Sequence, residues 1–272
     1  MTPSTVPWSR EKEVALSAAT QASNIILAHY TEFQRIPDAP ADISTQADRQ
    51  GQDAILETLS RAFPEDGFIA EETTPLLQQL RQTGERVWVI DPIDGTRGFA
   101  RKNDEFSIMI GLVEGGEPVL GVVLEPVRQR FTWAVKGQGC WWRGPGQTDR
   151  RGQVSTVASL ADATLLQSRS KKEGGTSPVQ PIHKLVYTYS AGIKLAMLAR
   201  GEADLYVGLH PYHVWDLCAG HVLLTEAGGT LTDGQGQPVR YPPKGPREVQ
   251  GTIASNGHLH KAACTCLLPG TH

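Results

Sequence analysis

The sequence predicts a layered α/β fold. Short apolar runs rich in β-formers alternate with helical stretches in both halves of the chain, which points to stacked sheets and helices rather than a bundle or barrel. The run Val87–Ile90 is apolar at every position, as a strand covered on both faces requires. No internal repeat is visible.

The 272 residues can bury a large core, as one domain or two closely packed ones. A hydrophobic fraction of 39% with 20% charged residues is that of an ordinary globular protein. The formal net charge of −3 has both signs scattered, so no nucleic-acid polymer is expected as a partner. No segment resembles a signal peptide and no apolar run is long enough to cross a bilayer, so no membrane partner is expected. Cys140, Cys218, Cys264 and Cys266 have neither zinc-like spacing nor the density of a disulfide scaffold. The expected compartment is the cytoplasm.

Taken in order, Ser9 is the expected cap of a first helix, with Glu11 and Glu13 in its first turn. Val14, Ala18, Ala22, Ile25 and Ile26 recur at helical spacing to about Tyr30. Ile55, Leu59 and Phe63 mark a second helix that starts near Asp48. Phe68–Ala70 reads as a strand ending on Glu71-Glu72, and Pro75 opens a short helix to Leu80. The strand Val87–Ile90 is expected to stop at Asp91, because Pro92 has no N–H to continue a ladder. Asp94-Gly95-Thr96 then reads as a turn into a helix start.

Phe106–Val113 and Val119–Leu124 read as a hairpin, followed by strands at Phe131–Val135 and Cys140–Trp142. The Gly-rich stretch Arg143–Gly152 is the best boundary, giving parts 1–150 and 151–272. Beyond it come a strand at Thr164–Gln167, a Gly-rich loop at Lys171–Pro178 and a helix at Ala191–Arg200 closed by Gly201. A strand at Asp204–Leu209, a helix from about Trp215, a strand at Gly251–Ser255 and a closing helix complete the chain.

Glu71 and Asp91 each follow a short apolar strand, and Asp94 lies one turn later. If the strands are neighbours, these carboxylates meet at one sheet rim, where open α/β sheets bind ligands. Asp216 opens a helix after Trp215 and Asp48 begins another, so both also qualify as helix caps. As a set, clustered acids without basic partners repel one another, and a divalent cation resolves that repulsion.

Glu71-Glu72, Asp91-Pro-Ile-Asp94-Gly95-Thr96 and Trp215-Asp216-Leu-Cys-Ala-Gly220 with Glu226-Ala-Gly-Gly229 resemble the signature segments of the inositol monophosphatase superfamily, over nearly the whole chain. The resemblance implies an αβαβα sandwich of the sugar-phosphatase type and a lithium-sensitive phosphatase using two or three Mg²⁺. It implies that Glu71, Asp91, the Ile93 carbonyl, Asp94 and Asp216 hold the metal. Glu71, Asp94, Thr96 and Asp48 would act in catalysis, with Thr96 helping to take the proton of a water that Glu71 positions. Ile93, Asp94, the N–H groups of Gly95 and Thr96, and Asp216 would meet a small phosphorylated substrate. Within the superfamily, Arg97-Gly-Phe99, Asn103-Asp-Glu105-Phe106 and Ser190-Ala-Gly192-Ile-Lys194 are similar to the 3′(2′),5′-bisphosphate nucleotidase branch.

Lys194 is expected either to bind a second substrate anion or to be a solvated helix lysine. His210 and His213 either meet the substrate or sit on a surface loop, and they match no branch. Arg101 and Lys102 either steer a polyanion or are simply solvated. An inositol or other sugar-monophosphate phosphatase, and a non-catalytic nucleotide sensor, are the competing readings. A homodimer is compatible with the resemblance.

Overall fold

The computed structural model describes residues 7–40, 43–169, 177–242 and 247–267. In chain order its elements are α1 (Ser9–Glu32), α2 (Gln46–Ala62), β1 (Gly67–Ala70), α3 (Pro75–Gln79), β2 (Arg86–Asp94), α4 (Thr96–Ala100), β3 (Ser107–Glu114) and β4 (Glu117–Glu125). Next come β5 (Arg130–Val135), β6 (Gly139–Arg143), β7 (Arg150–Gly152), β8 (Thr164–Ser168), β9 (Lys184–Thr188) and α5 (Ala191–Ala199). The chain closes with β10 (Leu205–His213), α6 (Val214–Glu226), β11 (Thr230–Asp233), β12 (Glu248–Ser255) and α7 (His260–Leu267).

These elements form five layers. A seven-stranded sheet runs β1 to β7 in chain order, with only the β1–β2 pair parallel. A five-stranded sheet has the order β11-β12-β10-β8-β9. Helices α1 and α2 cover one face of the first sheet, α5 and α6 lie between the sheets, and α7 covers the far face of the second. The expected αβαβα sandwich is the observed one. No described helix is long and apolar enough to cross a membrane.

The central layer is unusually close to the first sheet. Gly111 and Gly121 face each other across β3 and β4, and a Cβ on Gly121 would lie 2.2 Å from the Ala219 carbonyl oxygen of α6. Only hydrogen at these positions lets the helix backbone approach so near.

Several local expectations need correction. Ser9 does not cap α1; Trp8 takes that place in the left-handed region at φ 55°, and its indole donates to Glu114 at 2.9 Å. A tertiary contact, not a local hydroxyl, sets that helix start. β2 does not stop at Asp91; it shifts register past Pro92 and pairs again at Asp94 with Ser107. β10 likewise runs beyond Leu209 to His213 through an irregularity between Gly208 and Pro211. Both are the extra-residue kinks that sheets place beside sites. Strands β7, β9 and β11 were not expected, and most of the loop expected at Lys171–Pro178 (171–176) lies outside the described residues.

Candidate active site

The parallel β1–β2 pair brings the first two acids together. The Glu71 N–H donates to the Ile90 carbonyl at 3.2 Å, so Glu71 leaves β1 beside the end of β2. The kink after Asp91 then aims Asp94 into the same space, and the Ile93 N–H donates back to Asp91 Oδ1 at 3.0 Å. Gly95 sits at φ 91°, and a Cβ there would lie 2.8 Å from the Glu105 carbonyl oxygen and 3.2 Å from Ser190, so the position requires glycine. Asp216 arrives from the first turn of α6, where its carboxylate also accepts the His213 N–H at 2.6 Å.

These groups line one cleft of about 500 Å³. It is lined by Glu71, Asp91, Ile93, Asp94, Gly95, Thr96 and Asp216, and by Arg97, Ser168, Tyr189 and His210, which we call its rim although Tyr189 is itself buried. Carboxylate oxygens of Asp91, Asp94 and Asp216 all lie within 4.8 Å of one another.

Burial and crowding make this acid cluster hard to ionise. Burial, then the charges of Asp216, Asp48 and Glu72, pushes the Glu71 carboxyl up to about 8, partly offset by its hydrogen bond with Asp91. Asp91 is pushed well above the usual carboxylate range by burial and then by Glu71, Asp94 and Asp216. Burial and Asp94 raise Asp216 to about 7. An all-oxygen set of acids this close, with that much unrelieved repulsion, fits a hard divalent cation.

Asp94 is gripped from the second half of the chain. Its carboxylate accepts the Ser190 hydroxyl, the Ala191 N–H at 3.1 Å and the Gly192 N–H at 2.6 Å, all at the start of α5. The Ser107 hydroxyl adds a fourth donor at 3.3 Å. Ser190 also caps α5 by accepting the Ile193 N–H at 2.9 Å. Sequence reasoning missed this clasp, although a serine before a helix was a readable cap signal.

Asp48 serves two neighbours. One oxygen accepts the Thr45 N–H and hydroxyl at 2.8 and 2.5 Å, closing a capping box at the start of α2. The other lies 3.3 Å from the Thr96 hydroxyl, which is also 3.0 Å from the Ile93 carbonyl. Burial raises Asp48 to about 6 against the lowering effect of its Thr45 bonds.

Lys194 is where the structure departs from expectation. It is neither a substrate contact in the cleft nor a solvated helix lysine: it is 1% exposed and outside the cleft lining. Its ammonium donates to the Tyr189 and Ser190 carbonyls at 3.0 and 2.9 Å and lies over the Tyr206 ring. Burial lowers it to about 8, opposed by Asp94, Glu105 and Asp216. Its side chain folds back beneath the α5 start instead of reaching the substrate space. Of the two histidines, His210 reaches the rim, whereas His213 stacks on Trp215 with centroids 4.5 Å apart. Tyr189 and Ser168 reach the rim without any periodicity or motif to announce them.

The sequence profile described as the inositol monophosphatase family matches residues 8–268. Inositol monophosphatase 2 of Mus musculus is 33% identical over 91% of this chain and 90% of its own. The 3′(2′),5′-bisphosphate nucleotidase CysQ of Salmonella typhimurium is 32% identical over 74% of this chain and 80% of its own. Histidinol-phosphatase of Mycobacterium tuberculosis is 32% identical over 94% of this chain and 97% of its own. Among solved structures, the extragenic suppressor protein suhB of Bartonella henselae superposes with a TM-score of 0.79 at 26% identity, covering 96% of this chain and all of that one (100%). With the acid cleft, the five layers and these likenesses in agreement, the chain belongs to the inositol monophosphatase family and is a phosphatase of that superfamily.

Proposed function

We propose that this phosphatase is a Mg²⁺-dependent 3′(2′),5′-bisphosphate nucleotidase that removes the 3′-phosphate of 3′-phosphoadenosine 5′-phosphate. The observation that carries the chemistry is the cluster of Asp91, Asp94 and Asp216 oxygens within 4.8 Å, beside the Thr96 hydroxyl. Glu71, Asp91, the Ile93 carbonyl, Asp94 and Asp216 would hold two or three Mg²⁺. Mg²⁺ bound there supplies Lewis-acid activation of water and offsets charge on the phosphoryl and leaving oxygens.

The chain's own groups do the rest. The first-turn N–H groups at Gly95 and Thr96 receive phosphoryl oxygens, since no helical carbonyl precedes them. Glu71 orients the attacking water. Thr96 accepts the water's proton while passing its own to Asp48, whose burial makes it a better base than an exposed carboxylate. Attack is in line; one water is consumed, and the alcohol and inorganic phosphate leave.

For the substrate, the support is the likeness to CysQ and an arginine-bearing rim. Arg97 lines the cleft, and Glu105 fixes its neighbour Tyr189 by accepting the Tyr189 N–H at 3.2 Å. The rival reading, an inositol-phosphate phosphatase, is favoured by the longer match to the mouse protein. Phosphate release from adenosine 3′,5′-bisphosphate, inositol 1-phosphate and histidinol phosphate under saturating Mg²⁺ decides. The expected kcat/KM for the bisphosphate exceeds the others by roughly 100-fold, the scale that one well-placed ionic contact supports. A preference for either monophosphate removes the nucleotidase reading.

A further inference from the structure

Beside the cleft lies a pair of guanidinium groups that the acid chemistry does not use, one of which lines it. Arg97 in α4 and Arg101, its C-cap, lie four residues apart, and both face the Tyr189 ring, with guanidinium carbons 5.8 and 5.6 Å from its centroid. Arg101 also donates to the Tyr189 hydroxyl. Among the described residues neither arginine has an acidic partner within ion-pair distance, and the buried Nε of each is without a hydrogen bond. The Glu105 carboxylate, which holds the Tyr189 backbone, is already committed. Glu105 takes a two-pronged contact from Arg169 at 2.8 and 2.6 Å and the Tyr189 N–H as well.

Of the pair, Arg97 lines the cleft. It directly follows Thr96 in the chain and lines the same cleft as Asp91, Asp94, Thr96 and Asp216. A planar, half-buried cation with spare donors matches a phosphate bidentately, and its aromatic seat pre-organises it at little entropic cost. A substrate carrying an ammonium group near that point would meet repulsion instead.

We infer that Arg97, held on Tyr189, is the specificity-determining residue that binds a second anionic group on the leaving side of the substrate. This inference rests on the bisphosphate reading above. It assigns selectivity to a rim residue and not to Lys194, which the structure withholds from the cleft.

The test compares adenosine 3′,5′-bisphosphate with adenosine 3′-phosphate, which differs only by lacking the second phosphate. Wild-type enzyme is measured first and is expected to favour the bisphosphate by roughly 100-fold in kcat/KM. R97Q is expected to cut that ratio to below about 10, chiefly by raising KM for the bisphosphate, because the lost contact is made equally in ground and transition states. R97K, which keeps the charge but not the fork, gives an intermediate ratio at an unchanged melting temperature, and so decides even if R97Q folds poorly. An undiminished ratio in R97Q or in R97K overturns the inference while leaving the nucleotidase reading intact. Equal losses on both substrates also overturn it, because Arg97 would then serve the scissile phosphate. A wild-type enzyme indifferent to the second phosphate sinks the nucleotidase reading itself, and this inference with it.

Discussion

At the scale of single residues, the acid cluster couples metal, protons and stability. In the metal-free protein Glu71 and Asp216 hold their protons up to about 8 and about 7, above the ordinary carboxylate range. A folded-state pKa above the unfolded value gives stability that is fully present below about pH 4 and lost as pH rises towards 8. A cation that replaces those protons should therefore stabilise most where the acids are ionised. Saturating Mg²⁺ is expected to raise the melting temperature by roughly 5 °C at pH 8 and by little at pH 5. Equal shifts at the two pH values, read by calorimetry, would contradict metal binding at these acids. Asp48 shows the same economy in another form. Its two oxygens serve a helix cap and the Thr96 hydroxyl at once, so the capping and catalytic expectations for it are compatible in a single geometry.

At the scale of elements, close approach matters more than polarity. The α6 backbone sits on the Gly111–Gly121 pair, so even a methyl at position 121 must push the helix outward. Gly121→Ala is expected to cost roughly 2 kcal/mol of unfolding free energy, as overpacking does. A urea midpoint matching wild type would show that α6 can retreat freely. The elements that were legible in the sequence are those whose pattern is local. Val87–Ile90 announced itself by an unbroken apolar run, and Ala191–Arg200 by the Gly201 that closes it. The strands that escaped, Arg150–Gly152, Lys184–Thr188 and Thr230–Asp233, are short and partly exposed. They exist because a distant partner pairs with them, and period-two patterning over three to five residues is too brief to register. The acids of the site were legible because motif and strand ends coincide. Tyr189, the Ser190 clasp and the recoil of Lys194 were not, since tertiary packing alone decides them.

At the scale of the whole molecule, the boundary expected at 150/151 cuts through β7 (Arg150–Gly152), the last strand of the first sheet, and the chain passes from one sheet to the other only between Gly152 and Thr164. The two parts nevertheless share the central helical layer. Val89, Met109, Val123 and Ala134 on the first sheet are buried with residues of α5 and α6. Residues 1–150 alone would expose that face to water. The fragment is expected to show no cooperative thermal transition, and mixing it with residues 151–272 to recover phosphatase activity. A sharp transition in the isolated fragment would make the first part a domain in its own right. The grip on Asp94 has a further consequence, for the order of events during synthesis. Three of the four donors that orient this carboxylate lie 96 to 98 positions downstream. A growing chain thus carries its acids long before it can aim them, and a ribosome stalled midway releases a product that is catalytically mute rather than half-active.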